Sequence, residues 1–224
     1  MSFFEASTWV IPVIVAITFH EAAHGFVALL CGDETAWRLG RVSFNPLKHI
    51  DPFGTLLLPG LLVLLRSPFL FGYAKPVPVN FGALRHPRRD MILVAAAGPG
   101  INLALATLAA LALHLVVDLP DVSRQWAQLS LQNTILINVL LAVFNMLPIP
   151  PLDGGRVAVG LLPKFLGLPL AALEPFGLLI LIILLFFVPM LGDQIGVDLG
   201  IISRLVGAAT SRIIQAILAM TGIL

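Results

Sequence analysis

Residues His20, Glu21 and His24 form a His-Glu-x-x-His pattern inside an apolar run over residues 8–31. On a helix, residues four apart lie on one face a turn from each other. His20 and His24 can therefore offer ring nitrogens to a single metal ion. Glu21 then sits beside the metal without being a ligand, where a carboxylate can take a proton from a metal-bound water. Three ionisable groups in the middle of a bilayer-length apolar helix carry a desolvation cost of several kcal/mol, so chance placement of core residues is a poor account of them.

The elements that must hold these residues belong to a membrane protein. Of 224 residues 58% are hydrophobic and 11% charged, far below the roughly 25% charged of an ordinary soluble domain. The length fits one domain of several spans with short loops, 1–224, comprising a core over about 8–165 and C-terminal helices over about 171–222. The net charge of +1 argues for no nucleic-acid partner, and the basic residues read as topology signals. The single cysteine, Cys31, excludes an internal disulfide and a multi-cysteine zinc site. It follows His24 by two helical turns, about 10 Å, too far to share a metal.

The fold class expected is an all-α polytopic bundle of about four to six transmembrane helices with a small membrane-associated β-strand or re-entrant element. Residues 8–31, 91–117, 129–147 and 171–191 are apolar runs long enough to span. Residues 53–65 are apolar but short and broken by Pro59-Gly60, with basic residues on both sides, which reads as a half-inserted hairpin over about 53–71. Residues 73–80 alternate β-branched residues with prolines and read as an extended edge strand, with Lys75, Val77 and Val79 placed to meet an extended peptide. The tail from Ile201 is amphipathic and either lies on the membrane or forms a last span.

A hydrolytic zinc site has three protein ligands and an open fourth position. The third ligand expected is Asp153, which follows the helix-breaking prolines Pro148, Pro150 and Pro151 and returns to the depth of His24. Glu174, Asp90, His86 and His49 are weaker choices, each explained by a helix terminus or a loop. Asn145 and Asn102 are amides in the right helices to donate to a developing oxyanion, or to bond helices together.

The His-Glu-x-x-His stretch, the run Asn145-x-x-Pro148-x-Pro150-x-x-Asp153-Gly154-Gly155 and the Gly98-x-x-x-Asn102 between them together resemble the site-2 protease family of intramembrane zinc metalloproteases. The resemblance covers roughly residues 8–165. It implies that His20, His24 and Asp153 bind one Zn2+, that Glu21 is the general base and that Asn145 holds or polarises the substrate. The substrate would be a transmembrane protein segment, unwound so that a strand-like edge can present one carbonyl. The inserted or appended soluble domains common in the family do not fit these short loops, so the likeness is to a minimal core form.

The rival reading is a non-hydrolytic zinc-binding membrane protein: a carrier, a sensor or an inactive protease-like chaperone. A carrier needs ligands at successive depths, whereas one cluster is legible, and an inactive relative would not need Glu21. Arg38, Arg41 and Lys48 after the first span place that end, and the site, toward the cytoplasmic half, with the N-terminus outside. The expected location is a prokaryotic inner membrane, multi-pass.

Overall fold

The computed structural model describes residues 3–57, 61, 64 and 75–223. It is all-helical: helix α1 (Phe3–Leu30), the short α2 (Thr35–Arg38), α3 (Pro87–Ala112), α4 (Asp121–Asn145), α5 (Asp153–Leu161), α6 (Lys164–Ala171), α7 (Gly177–Ile182), α8 (Val188–Ile195) and α9 (Ile201–Met220). Among the described residues five stretches are long and apolar enough to cross a membrane: Phe3–Leu30, Pro87–Leu115, Asp121–Asn145, Lys164–Ile195 and Ile201–Met220. The protein is thus a polytopic, multi-pass membrane protein. The expected span over 171–191 is extended at both ends, and the tail has the length of a full span.

Helices α1, α3 and α4 pack together around the site, and the pattern of burial explains how. The buried positions of α1 include Thr8, Ala16, His20, Ala22, His24, Gly25 and Ala28, while Val10, Ile11 and Ile14 are exposed. Those of α3 include Ala95, Gly98, Asn102, Ala106, Ala109 and Ala110. Lipid is as apolar as leucine, so large side chains gain little by turning inward. Small residues let the backbones approach and polar ones find partners there. Farther from the site, Ala106, Ala109 and Ala110 of α3 pack with Ile135 and Val139 of α4 and Ile217 of α9.

Pro12 lies within α1 and has no amide to give the Thr8 carbonyl. Asn133 of α4 answers with its Nδ2, 2.9 Å from Thr8 Oγ1 and 3.4 Å from the Thr8 carbonyl.

After Asn145 the chain turns through the prolines into α5. Gly154 and Gly155 make that turn possible. A Cβ on Gly154 would stand 2.2 Å from the Met146 carbonyl oxygen, and one on Gly155 2.4 Å from Pro150 N. At its far end α5 is capped by Arg88 of α3, whose Nε donates to the Gly160 carbonyl at 2.7 Å and whose Nη2 reaches the Leu162 carbonyl.

The expected β-strand is not formed: among the described residues there is no strand. Residues 75–80 run extended, but their amides go to single groups on three different partners. Lys75 N–H donates to the His49 carbonyl at 2.9 Å, Val77 to Glu21 Oε2 at 2.8 Å and Asn80 to Asp33 Oδ2 at 2.7 Å. Pro76 and Pro78 have no amide to contribute, so a regular ladder cannot build on this segment. Of the hairpin expected over 53–71, residues 52–57 form a π-helical turn, and most of the remainder lies outside the described residues.

Candidate metal centre

Helix α1 places His20 and His24 on its buried face with ring centroids 4.7 Å apart. Each ring is fixed through Nδ1. His20 Nδ1 donates to Asn102 Oδ1 at 2.5 Å, and His24 Nδ1 donates to the Val94 carbonyl at 2.7 Å. With Nδ1 carrying the proton, each Nε2 presents a lone pair, the form a metal requires. Both face Asp153 Oδ2, at 3.1 Å from His20 Nε2 and 3.4 Å from His24 Nε2. The ligand-type atoms of these three buried residues all lie within 4.8 Å of one another, the one such group among the described residues.

The donor chemistry fits a divalent cation. Asp153 Oδ2 is buried, its nearest polar neighbours are the two Nε2 atoms, and neutral Nδ1–H imidazoles have no proton there to offer it. Two lone pairs and a carboxylate oxygen converge on one point, an arrangement that repels unless a cation stands at its centre. Gly98 supplies the room: a Cβ there would come within 2.6 Å of His20 Cε1, His20 Nε2 and His24 Nε2.

Glu21 opens with this cluster onto a cavity of about 350 Å³, whose walls include Val77, Val79, Asn145 and Arg156. Asn145 Nδ2 donates to the Leu141 carbonyl at 3.0 Å. Lys75 is exposed and is not among the residues lining the cavity. Asn102, expected to face the substrate, is instead fully buried behind His20, with Nδ2 donating to the Ala16 carbonyl at 3.2 Å and to Asn138 Oδ1 at 2.7 Å. It has no atom left for a substrate.

The weaker third-ligand choices lie elsewhere: His49 Nε2 donates to the Ser43 carbonyl, Asp90 accepts the His86 amide, and Glu174 pairs with Arg156 at 2.8 Å. Two contributors were not singled out from the sequence. Asn138, fully buried, had the signal of an amide in the apolar half of α4, and Asp33 that of an acid just past the end of α1.

Asp33 anchors the loop that faces the site. Burial alone would raise its pKa, but the Thr35 hydroxyl, the Thr35 amide and the Asn80 amide all donate to the carboxylate and hold it below the usual aspartate value.

A bundle of membrane helices with a His-Glu-x-x-His helix facing an aspartate defines a membrane metallopeptidase architecture, and the comparisons with known proteins agree. The profile described as "Peptidase family M50" matches residues 114–188, the part that holds Asn145 and Asp153. "Putative zinc metalloprotease YwhC" of Bacillus subtilis (strain 168) is 37% identical over 198 residues, covering 83% of this chain and 82% of the relative. "Putative zinc metalloprotease Rip2" of Mycobacterium tuberculosis (strain H37Rv) is 32% identical over 203 residues, 88% of this chain and 76% of the relative. No solved structure gives a significant match. The chain belongs to peptidase family M50, the site-2 protease family of zinc-dependent metalloproteases.

Proposed function

We propose that the protein hydrolyses peptide bonds within transmembrane segments of other proteins, using one Zn2+ held by His20, His24 and Asp153, with Glu21 as general base. The observation that carries this reading is the convergence of the buried Asp153 Oδ2 with His20 Nε2 and His24 Nε2, at 3.1 and 3.4 Å, beside Glu21 on one cavity. Zinc in that position supplies Lewis-acid polarisation of the scissile carbonyl and acidifies water, whose pKa it can lower from about 15.7 toward 7.

This chain's own residues do the rest. Glu21 Oε2 is held by the Val77 amide, which leaves Oε1 to accept the proton of the attacking water and pass it to the leaving amine nitrogen. Asn145, on the cavity wall, turns its amide from the Leu141 carbonyl toward the substrate carbonyl as negative charge builds there. Val77 and Val79 lie along the same wall, so an unwound substrate chain runs beside residues 75–80 and pairs with their carbonyls, with Lys75 at the outer end. A transmembrane helix hides its amides in its own hydrogen bonds, and this segment returns partners to them.

The basic residues of the 31–48 loop, the start of α3 and the segment after α5 lie on the side to which α1 and α4 bring the cluster, so the site faces the cytoplasmic half of the membrane. The decisive experiment measures zinc content and cleavage of a transmembrane test substrate on purified wild type, Glu21→Gln and Asp153→Ala. Glu21→Gln keeps zinc and loses cleavage by about 100-fold or more, and Asp153→Ala loses both. Cleavage by Glu21→Gln at the wild-type rate would overturn the role of the base. Zinc retained without cleavage in wild type would favour the non-hydrolytic reading.

A further inference from the structure

We propose that Asn138 is a positioning residue for the metal centre: with Asn102 it forms a two-amide relay that holds the proton on His20 Nδ1 and so keeps His20 Nε2 free as a ligand. The proposal rests on His20 being a zinc ligand.

The relay is over-determined by its two ends. An asparagine amide can be turned about, exchanging its oxygen and nitrogen, so a single contact does not fix its sense. Here backbone carbonyls, which only accept, fix both. Asn138 Nδ2 faces the Thr134 carbonyl at 2.9 Å, so its other atom, Oδ1, is an acceptor. That oxygen meets Asn102 Nδ2 at 2.7 Å, and the same Nδ2 meets the Ala16 carbonyl at 3.2 Å. Asn102 Oδ1 is then the atom 2.5 Å from His20 Nδ1, and only a proton on that nitrogen satisfies the contact. Turning either amide would set nitrogen against nitrogen or oxygen against oxygen in a site where Asn102 and Asn138 are both 0% exposed. Burial makes such a mismatch expensive, so one tautomer of His20 is selected.

His24 is held differently, by the Val94 carbonyl, which no side-chain substitution removes. The relay therefore acts on one ligand of the pair.

A bystander amide on the same helix pair gives the control. Asn133, five residues before Asn138 on α4, also bonds to α1, at Thr8, but has no contact with His20. Zinc affinity would be measured by chelator competition on the purified full chain, and ring 15N shifts of histidine on the metal-free protein, for Asn102→Leu, Asn138→Leu, Asn133→Leu and Asn102→Asp. The expected result is a loss of zinc affinity of about 10- to 100-fold for Asn102→Leu and about 10-fold for Asn138→Leu, with His20 leaving the Nδ1–H tautomer in both. Asn133→Leu lowers the melting temperature and leaves zinc affinity and tautomer unchanged. Asn102→Asp keeps an acceptor for His20 and so keeps the Nδ1–H tautomer, while its second oxygen, set against Asn138 Oδ1 and the Ala16 carbonyl, lowers the melting temperature.

Equal loss in Asn133→Leu and Asn138→Leu, or an unchanged His20 spectrum in Asn102→Leu, would overturn the relay. If His20→Ala binds zinc as wild type does, the ligand assignment beneath it fails, and that result is separate from the others.

Discussion

The bundle of α1, α3 and α4 and the C-terminal run Lys164–Ile195 are both apolar enough to span a membrane, yet they are built on different terms. Of the most apolar stretch of α1, 39% of positions are buried within the protein; for Lys164–Ile195 the share is 11%. The bundle buries amides, imidazoles and a carboxylate among alanines and glycines. The C-terminal run exposes Leu178, Leu179, Ile183, Phe186 and Phe187. Apolar character alone does not hold helices together in lipid; close approach and satisfied polar groups do. The chemistry sits where those forces are concentrated. Substitutions against the metal cluster in the bundle should therefore register on the site, and those in the C-terminal region on stability alone.

Gly98→Ala should have the largest effect. Its Cβ would meet two rings already pinned at Nδ1, so zinc content should collapse and cleavage fall by about 100-fold or more, read by metal analysis and substrate turnover. Gly154→Ala comes next, because its Cβ meets backbone rather than a movable side chain. The cost should be about 3 kcal/mol of unfolding free energy, with Asp153 displaced and zinc weakened.

Ile217→Ala, in α9, removes a side chain that is 4% exposed against Ala106 and Val139 and should cost about 2 kcal/mol of stability with zinc affinity unchanged. If zinc affinity falls as well, the site is not insulated from the helices that follow it.

Asp33→Asn tests the loop that closes the site. The Asp33 pKa is depressed in the folded state, so its stabilisation is present above the unfolded value of about 3.9 and disappears as the pH drops through the lower folded value. The variant should be less stable than wild type at pH 7 by about 1 kcal/mol, and the gap should narrow in acid below about pH 4. A gap constant with pH would show that the carboxylate charge does not matter. The smallest effect is expected of Arg204→Ala. Its pair with Asp198 is made by two well-exposed side chains, and the change should stay within about 0.5 kcal/mol.

The chemistry of the site was the most legible part of the chain, because an ionisable residue in an apolar span costs too much to be kept there without a task. His20, His24 and Asp153 are brought together as their spacing and the proline break indicated, and Glu21 faces the same cavity. What the sequence hid was who supports whom. Asn102 reads equally as a substrate contact or as a bond between helices, and only the packing of α3 behind α1 shows that it serves His20. Asn138 looked like any amide in an apolar helix until its partner was known. The extended segment was foreseen and its pairing was not, since alternating β-branched residues do not reveal that Glu21 and Asp33 will take the amides a neighbouring strand would need. Gly98 read as a residue for helix approach; its nearest neighbours are imidazole rings.

The hydrogen bond from Val77 to Glu21 bears on coordination number. A carboxylate one residue from a metal ligand can swing inward and complete a tetrahedral shell, and a closed shell is structural rather than hydrolytic. The Val77 amide, on the loop that lines the same cavity, holds one oxygen of Glu21 at 2.8 Å. In the proposed mechanism the loop would keep Glu21 a base rather than a ligand. If His20, His24 and Asp153 hold zinc as proposed, shortening or loosening residues 75–80 would free Glu21 to become a fourth ligand and so lower activity without removing any side chain of the site.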